Sequence, residues 1–210
     1  EGSLSCTGSC VFDTSQCRVP PKVQAIYPSA APYDQDTQVI IYGQSFKNEA
    51  QVLVGGNAID VRNVTETEIV AVVPAGDPGL YDVQVVVEEM EGLLPDGFQR
   101  LTLEADRFLY VDGVNGSDRG RGTLEDPWLT ITHSFEALEY DGIPDQVLVV
   151  APASYTAPQG ESFPLRVPRL LKVMGAGPEL TVINGVRDEP VLWFRPDRDF
   201  LSSTEIRNLT

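Results

Sequence analysis

The chain has a single histidine, His133, and three cysteines, none of them beyond Cys17. A structural zinc site needs four such ligands, and His133 stands far from Cys6, Cys10 and Cys17. The lone histidine also has no Ser or Cys arrangement around it that would make a nucleophilic triad. Positive charge is scarce: 15 Lys and Arg face 31 Asp and Glu, a net charge of −16. That excess repels phosphate backbones and anionic lipid, which argues against nucleic-acid or membrane-surface binding. No run approaches the roughly 20 apolar residues of a transmembrane helix. What is plentiful is Gly (18) and Pro (16), the punctuation of a turn-rich β protein.

The cysteines fix the expected compartment. Cys6, Cys10 and Cys17 sit close together in a segment too poor in apolar residues to build a core, so covalent staples are expected there. Disulfides fit better than zinc and imply an oxidising, extracellular setting. Three is an odd number, so one partner is expected outside this stretch of chain, and the pairing stays open. The start at Glu1 without a leader fits an excerpt of a longer chain or a removed signal peptide. Residues 1–19 resemble the Cys-rich stubs that precede β domains in large secreted bacterial proteins. Val19-Pro20-Pro21 then reads as a stiff linker.

Residues 20–104 read as short strands between turns. Val23 to Ile26 ends at Tyr27-Pro28, and Gln38 to Tyr42 ends at Gly43. Gln51 to Val54 and Asn57 to Val61 flank Gly55-Gly56, a hairpin signal. Glu68 to Val73 and Leu80 to Val87 follow, the latter with Tyr81, Val83, Val85 and Val87 on one face. Gly97 to Leu103 closes the series. The spacing predicts a β-sandwich. Pro21-Lys22-Val23 through Tyr27-Pro28, Val39 to Phe46, Val52 to Gly56, Val73 to Gly79 and Tyr81 to Val85 resemble, in order and spacing, the IPT/TIG immunoglobulin-like domains. Tyr33-Asp34-Gln35-Asp36 departs from the glycines usual there. The resemblance implies a spacer or interaction module and supplies no catalytic residues.

Residues 105–210 change character. Phe108 to Val111 is a short strand, and Pro127 to Tyr140 carries Ile131, Phe135 and Leu138 on one helical face. Val147 to Val150 is a continuous apolar run, fit for a buried parallel strand. Leu171 to Met174, Thr181 to Ile183, Val191 to Phe194 and Glu205 to Leu209 are further short strands between glycine turns, a pattern of stacked coils. The helix is expected to cap the open first coil, whose unpaired edge would otherwise invite association. Tyr110-Val111-Asp112, Asn115-Gly116-Ser117-Asp118, Gly122-Thr123, Pro127, Thr130-Ile131 and Glu161 to Leu165 resemble a bacterial family of unknown function found at the start of pectate-lyase-like β-helices. The implied fold class is all-β: an immunoglobulin-like sandwich, then a helix-capped, truncated right-handed parallel β-helix whose further coils lie past Thr210.

The fold does not name a chemistry, because the same start precedes lyases, hydrolases and inert stalks. Lyases on such scaffolds combine calcium carboxylates with a basic Arg or Lys. Asp112, Asp118 and Asp126, with Asn115 as a neutral donor, are the oxygen ligands that would suit calcium. The same residue types stabilise turns by bonding their own backbone, which is the preferred reading here. No other cofactor and no catalytic residue is assigned. Asp188-Glu189 with Arg195, Asp197, Arg198 and Asp199 reads as a solvated loop, Arg166 and Arg169 as surface ion-pair partners, and Trp128 and Trp193 as core or interface. The expected role is a non-catalytic, exported bacterial surface or secreted protein for adhesion or glycan contact, with polysaccharide or cell-surface glycan and the rest of its own chain as partners. The alternatives are a polysaccharide lyase or glycoside hydrolase with its active site beyond Thr210, and a stalk without ligand.

Overall fold

A computed structural model describes residues 5–6, 12–13, 18–141, 145–168, 170–194 and 204–210. Cys6 lies on β1 (Ser5–Cys6), which pairs antiparallel with β2 (Phe12–Asp13). Cys10 and Cys17 fall outside the described residues, so the expected disulfides stay an expectation.

Residues 22–101 build two facing sheets. In chain order the strands are β3 (Lys22–Tyr27), β4 (Ala30–Pro32), β5 (Thr37–Gln44), β6 (Gln51–Val54), β7 (Asn57–Ala58), β8 (Asp60–Val64), β9 (Glu68–Val73), β10 (Gly79–Val87) and β11 (Met90–Leu101). One sheet runs β3-β5-β9-β8 and the other β4-β11-β10-β6-β7. Alternation decides which side chains meet between them: Val39 and Ile41, Val52 and Val54, Ile69, Ala71 and Val73, and Val83, Val85 and Val87 are all buried in one core. The result is an immunoglobulin-like sandwich. Gly55 and Gly56 both hold positive φ (59° and 79°), the requirement of the two-residue hairpin that joins β6 to β7.

Three details depart from the sequence expectation. The strand expected over 57–61 is broken at Ile59, and the chain changes sheets there, β7 pairing with β6 and β8 with β9. Ala30–Pro32, between the first two expected strands, also forms a strand, parallel to β11. The closing strand starts at Met90, not Gly97, and takes up the irregular Leu94–Phe98 stretch as a register shift opposite Tyr81 and Val83. Pro95 and Gly97 look like strand breakers in sequence, but a bulge accommodates them.

The regular structure of the second half is also chiefly strand, and α1 (Ile131–Asp141) is the one α-helix among the described residues. Its strands are β12 (Phe108–Val111), β13 (Gln146–Val150), β14 (Ala153–Thr156), β15 (Leu165–Val167), β16 (Leu171–Gly175), β17 (Thr181–Asn184), β18 (Leu192–Phe194) and β19 (Glu205–Arg207). Every ladder among them is parallel: β12-β13-β16-β19, β14-β17 and β15-β18. The spacing between paired residues is 25, 28 and 27 at Val147↔Lys172, Ser154↔Val182 and Arg166↔Trp193, and longer at Phe108↔Val147 and Lys172↔Glu205. β14 and β15 were not expected as strands, because each is short and carries polar residues.

The Val147–Val150 run is apolar on both sides because both sides are covered. Leu148 and Val150 face inward with Val111, Leu165, Leu171 and Val173, against Ile131, Phe135 and Leu138 of α1. Val147 and Val149 face the other way, with Phe108, Tyr110 and Met174, and pack on Ala30, Tyr27, Leu101 and Leu103. The sandwich therefore lies on the outer face of the β12-β13-β16 sheet. Backbone joins backbone at this junction: the Ile26 N–H donates to the Ala176 carbonyl at 2.9 Å.

At the rim of the junction, Glu179 accepts from Gln24 Nε2 (2.8 Å) and from Lys22 Nζ (2.8 and 2.6 Å). These bonds hold its carboxyl below the ordinary glutamate range. A lowered folded pKa stabilises above the unfolded value and is lost as pH falls through the folded one. Unfolding midpoints measured from neutral pH downward should therefore drop less steeply for Glu179→Gln than for the wild type below the ordinary glutamate pKa. The difference should be small, since both partners are half in water.

Candidate functional site

The loop between β12 and α1 is built by its own polar residues. Asp112 Oδ1 accepts from the backbone N–H groups of Val114 (2.9 Å) and Asn115 (3.0 Å), and Asn115 Nδ2 donates to Asp112 Oδ2 at 3.1 Å. Asp118 turns away from that pair: Oδ1 accepts from the N–H groups of Leu129 and Thr130, and Oδ2 from the Thr130 hydroxyl. Asp126 Oδ2 takes the Arg121 N–H and guanidinium. The structure thus brings Asp112 and Asn115 together and commits Asp118 and Asp126 elsewhere. Among the described residues no three His, Cys, Asp or Glu side chains gather as a metal would require. The carboxylate oxygens of Asp112 and Asp118 are engaged in turns and caps.

The same loop closes the outer edge of β12. The Tyr110 N–H donates to the Gly122 carbonyl, the Trp128 N–H to the Tyr110 carbonyl, and the Asp112 N–H to the Trp128 carbonyl, at 2.8–3.0 Å. The free edge of β12 is therefore paired by residues 122–128, and α1 fills the core beneath. This divides the capping role that sequence assigned to the helix alone. It also explains why α1 begins at Ile131 and not at Pro127: Pro127 and Trp128 are used as edge. Gly116 is fixed by close approach, since a Cβ there would lie 2.2 Å from the Trp128 carbonyl oxygen.

Glu161 was noted in sequence only as part of a resemblance, and its role was missed. Its side chain is buried, with Oε1 accepting from Ile131 N–H (2.8 Å) and Oε2 from Thr132 N–H (2.9 Å) and the Thr132 hydroxyl (2.5 Å). Thr130 Oγ1 accepts from His133 N–H. The first-turn donors of α1 are thus matched from outside the helix. His133 meets Trp128 edge-on, ring centroids 5.6 Å apart, and belongs to this cap, not to a triad.

One outer face of the parallel half combines an aromatic, a cation and a groove. Arg166 on β15 is the register partner of Trp193 on β18, and its guanidinium lies 5.9 Å from the indole centroid. Trp193, read in sequence as core or interface, is 40% exposed and so does not fill the core. Arg166 also lines a groove of about 450 Å³ between α1 and β15, with Thr132, Glu136, Ser162 and Phe163 among others. An exposed indole, a guanidinium and hydroxyls beside an apolar floor form a surface that can stack and hydrogen-bond a sugar. Asp188 and Glu189 sit in a turn after β17, where the Glu189 N–H donates to Val186. Arg169, Arg195, Asp197, Arg198 and Asp199 lie outside the described residues.

Residues 21–99 match the IPT/TIG domain family. Residues 114–180 match a family described as protein of unknown function, DUF1565. The second match takes in the cap loop, α1, Glu161 and Arg166, and stops short of Trp193. No curated protein matches the chain. Among solved structures, it is similar to the extracellular region of Plexin A4, at 19% identity and TM-score 0.37 over 40% of this chain and 9% of that one. It is also similar to auxiliary nutrient binding proteins of Bacteroides ovatus (22%, TM-score 0.34) and Bacteroides thetaiotaomicron (17%, TM-score 0.33), each over 40% of this chain and 21% of theirs. The chain thus spans about a fifth or less of those chains, and at such TM-scores the likenesses carry no argument about function. No helix among the described residues is long and apolar enough to cross a membrane.

Proposed function

We propose that this chain belongs to an exported bacterial surface or secreted protein and contacts glycans without cleaving them. On this reading residues 1–19 are a disulfide stub, 20–104 the IPT/TIG-like sandwich, and 105–210 the capped first coils of a right-handed parallel β-helix. The parallel ladders with their repeated return, and the right-handed crossover rule, support the β-helix. The observation that carries the glycan role is the Arg166–Trp193 pair on an exposed rung beside the Thr132–Arg166 groove. The face under the sandwich is already occupied by apolar packing, whereas this one is open.

Affinity electrophoresis of the full chain in gels containing xylan or polygalacturonate tests the reading. Retardation by at least one polymer is expected, and Trp193→Ala should weaken it about tenfold or more, since exposed aromatic anchors dominate such contacts. No retardation, or retardation that Trp193→Ala leaves intact, would count against the site. Polymer shortening by the wild-type chain would overturn the non-catalytic part.

A further inference from the structure

The sandwich and the parallel half meet in a way that two loosely tethered modules do not. Interfaces between domains of one chain are usually polar, and relative motion is the default. Here Phe108, Tyr110, Val147, Val149 and Met174 present an apolar outer face, and every one of them is buried. A parallel sheet needs cover on both faces. α1 and the coil interior cover one, and Tyr27, Ala30, Leu101 and Leu103 cover the other.

The contact is also interlocked at the backbone. The Ile26 N–H of edge strand β3 is paired by Ala176, so the second half covers a sandwich edge while the sandwich covers its sheet. The buried Ser29 hydroxyl donates to the Met174 carbonyl (3.4 Å). At Gly177 a Cβ would stand 2.2 Å from the Gln24 carbonyl oxygen and 3.0 Å from Ala25, so any side chain there forces the two halves apart. The Lys22–Gln24–Glu179 bonds close the rim.

We infer that residues 22–101 and 108–194 unfold as one cooperative unit, in which the sandwich is the outer wall of the first rungs and not a freely swinging spacer. The brace also fixes the direction in which the β15-β18 face points relative to the sandwich. The inference stands on the junction alone and does not depend on the glycan reading.

The two tryptophans of the chain, Trp128 and Trp193, both lie in the second half. Tryptophan fluorescence therefore reports that half only, while far-UV circular dichroism reports both. Guanidinium unfolding of the full chain should give coincident single transitions by the two probes. Val85→Ala, in the sandwich core with no tryptophan near it in sequence, should lower the fluorescence midpoint as much as the dichroism midpoint. If Val85→Ala does not fold, the milder Ile69→Val makes the same test. Gly177→Val should separate the transitions, so that the sandwich-core change no longer moves the fluorescence midpoint. A fluorescence midpoint untouched by the sandwich-core change in the parent chain, with two steps by dichroism, would overturn the inference. So would a Gly177→Val chain that keeps one transition at the parent midpoint.

Discussion

Glu161→Ala is expected to lower stability by about 3 kcal/mol and the thermal midpoint by roughly 6–12 °C. The side chain is only 5% exposed, and it takes three hydrogen bonds: from the N–H groups of Ile131 and Thr132 and from the Thr132 hydroxyl. Alanine leaves those donors facing a void, and an orphaned buried donor costs about 1–3 kcal/mol. The carboxylate also sits where the helix dipole is positive, which adds to the loss. The damage should spread, because the Thr132 hydroxyl that binds Glu161 in turn accepts from the Ser162 N–H and ties the helix to the approach of β15. Glu161→Gln keeps one acceptor oxygen and turns an amide donor toward the remaining N–H, so it should recover less than half of the loss. Thermal unfolding followed by tryptophan fluorescence measures both. A shift under about 1 kcal/mol for the alanine variant would mean that water replaces the carboxylate without cost.

Glu161 illustrates what sequence could and could not reveal. Elements that depend on near neighbours were legible: the Gly55-Gly56 hairpin, the Ile131/Phe135/Leu138 face of α1, and the doubly buried Val147–Val150 strand. Each announces itself through local periodicity or composition. The partner of the α1 N-terminus is 30 residues away in sequence and has no local signature. A remote carboxylate that caps a helix looks like any other glutamate. The late start of α1 has the same origin, since Pro127 and Trp128 are drawn out of the helix by edge bonds to β12. The sheet switch at Ile59 and the short β4, β14 and β15 strands are set by pairing across the fold, which periodicity does not carry.

For the site, side-chain chemistry is legible in single residues and position in the fold is not. Asp112 forms a turn as the chemistry of Asx residues suggests. Trp193, expected in core or interface, is 40% exposed beside its strand partner Arg166, because side-chain parity on a short strand follows pairing, not composition. The junction was illegible for the opposite reason. Phe108, Tyr110 and Met174 stand in strands the sequence suggests, and nothing local says that the wall they need is supplied by Tyr27, Ala30 and Leu101.

Trp128→Ala should open the cap loop. The indole is 8% exposed, and its Nε1–H donates to the Gly120 carbonyl at 3.0 Å. Its ring packs so closely under Gly122 that a Cβ there would come within 2.8 Å of it, and it meets His133 edge-on. Truncating a buried Trp to alanine costs about 3–5 kcal/mol. Here that loss falls on the segment that pairs the edge of β12, so local opening should precede global unfolding. Arg119 and Arg121 are exposed within that loop and mark trypsin sites. When opening and closing are fast, cleavage tracks the open population, and about 3 kcal/mol corresponds to roughly a hundredfold rise in rate. Trp128→Phe keeps most of the packing and the ring contact with His133 but loses the Nε1–H donor, so its cleavage rate should fall between the two. The nicked or opened loop would also bare the N–H and C=O groups of β12, and the alanine variant should self-associate where the wild type does not. Mass-mapped limited proteolysis gives the rates directly. Cleavage at Arg119 and Arg121 at the wild-type rate would mean that the backbone bonds of residues 110–128 hold the loop without the indole.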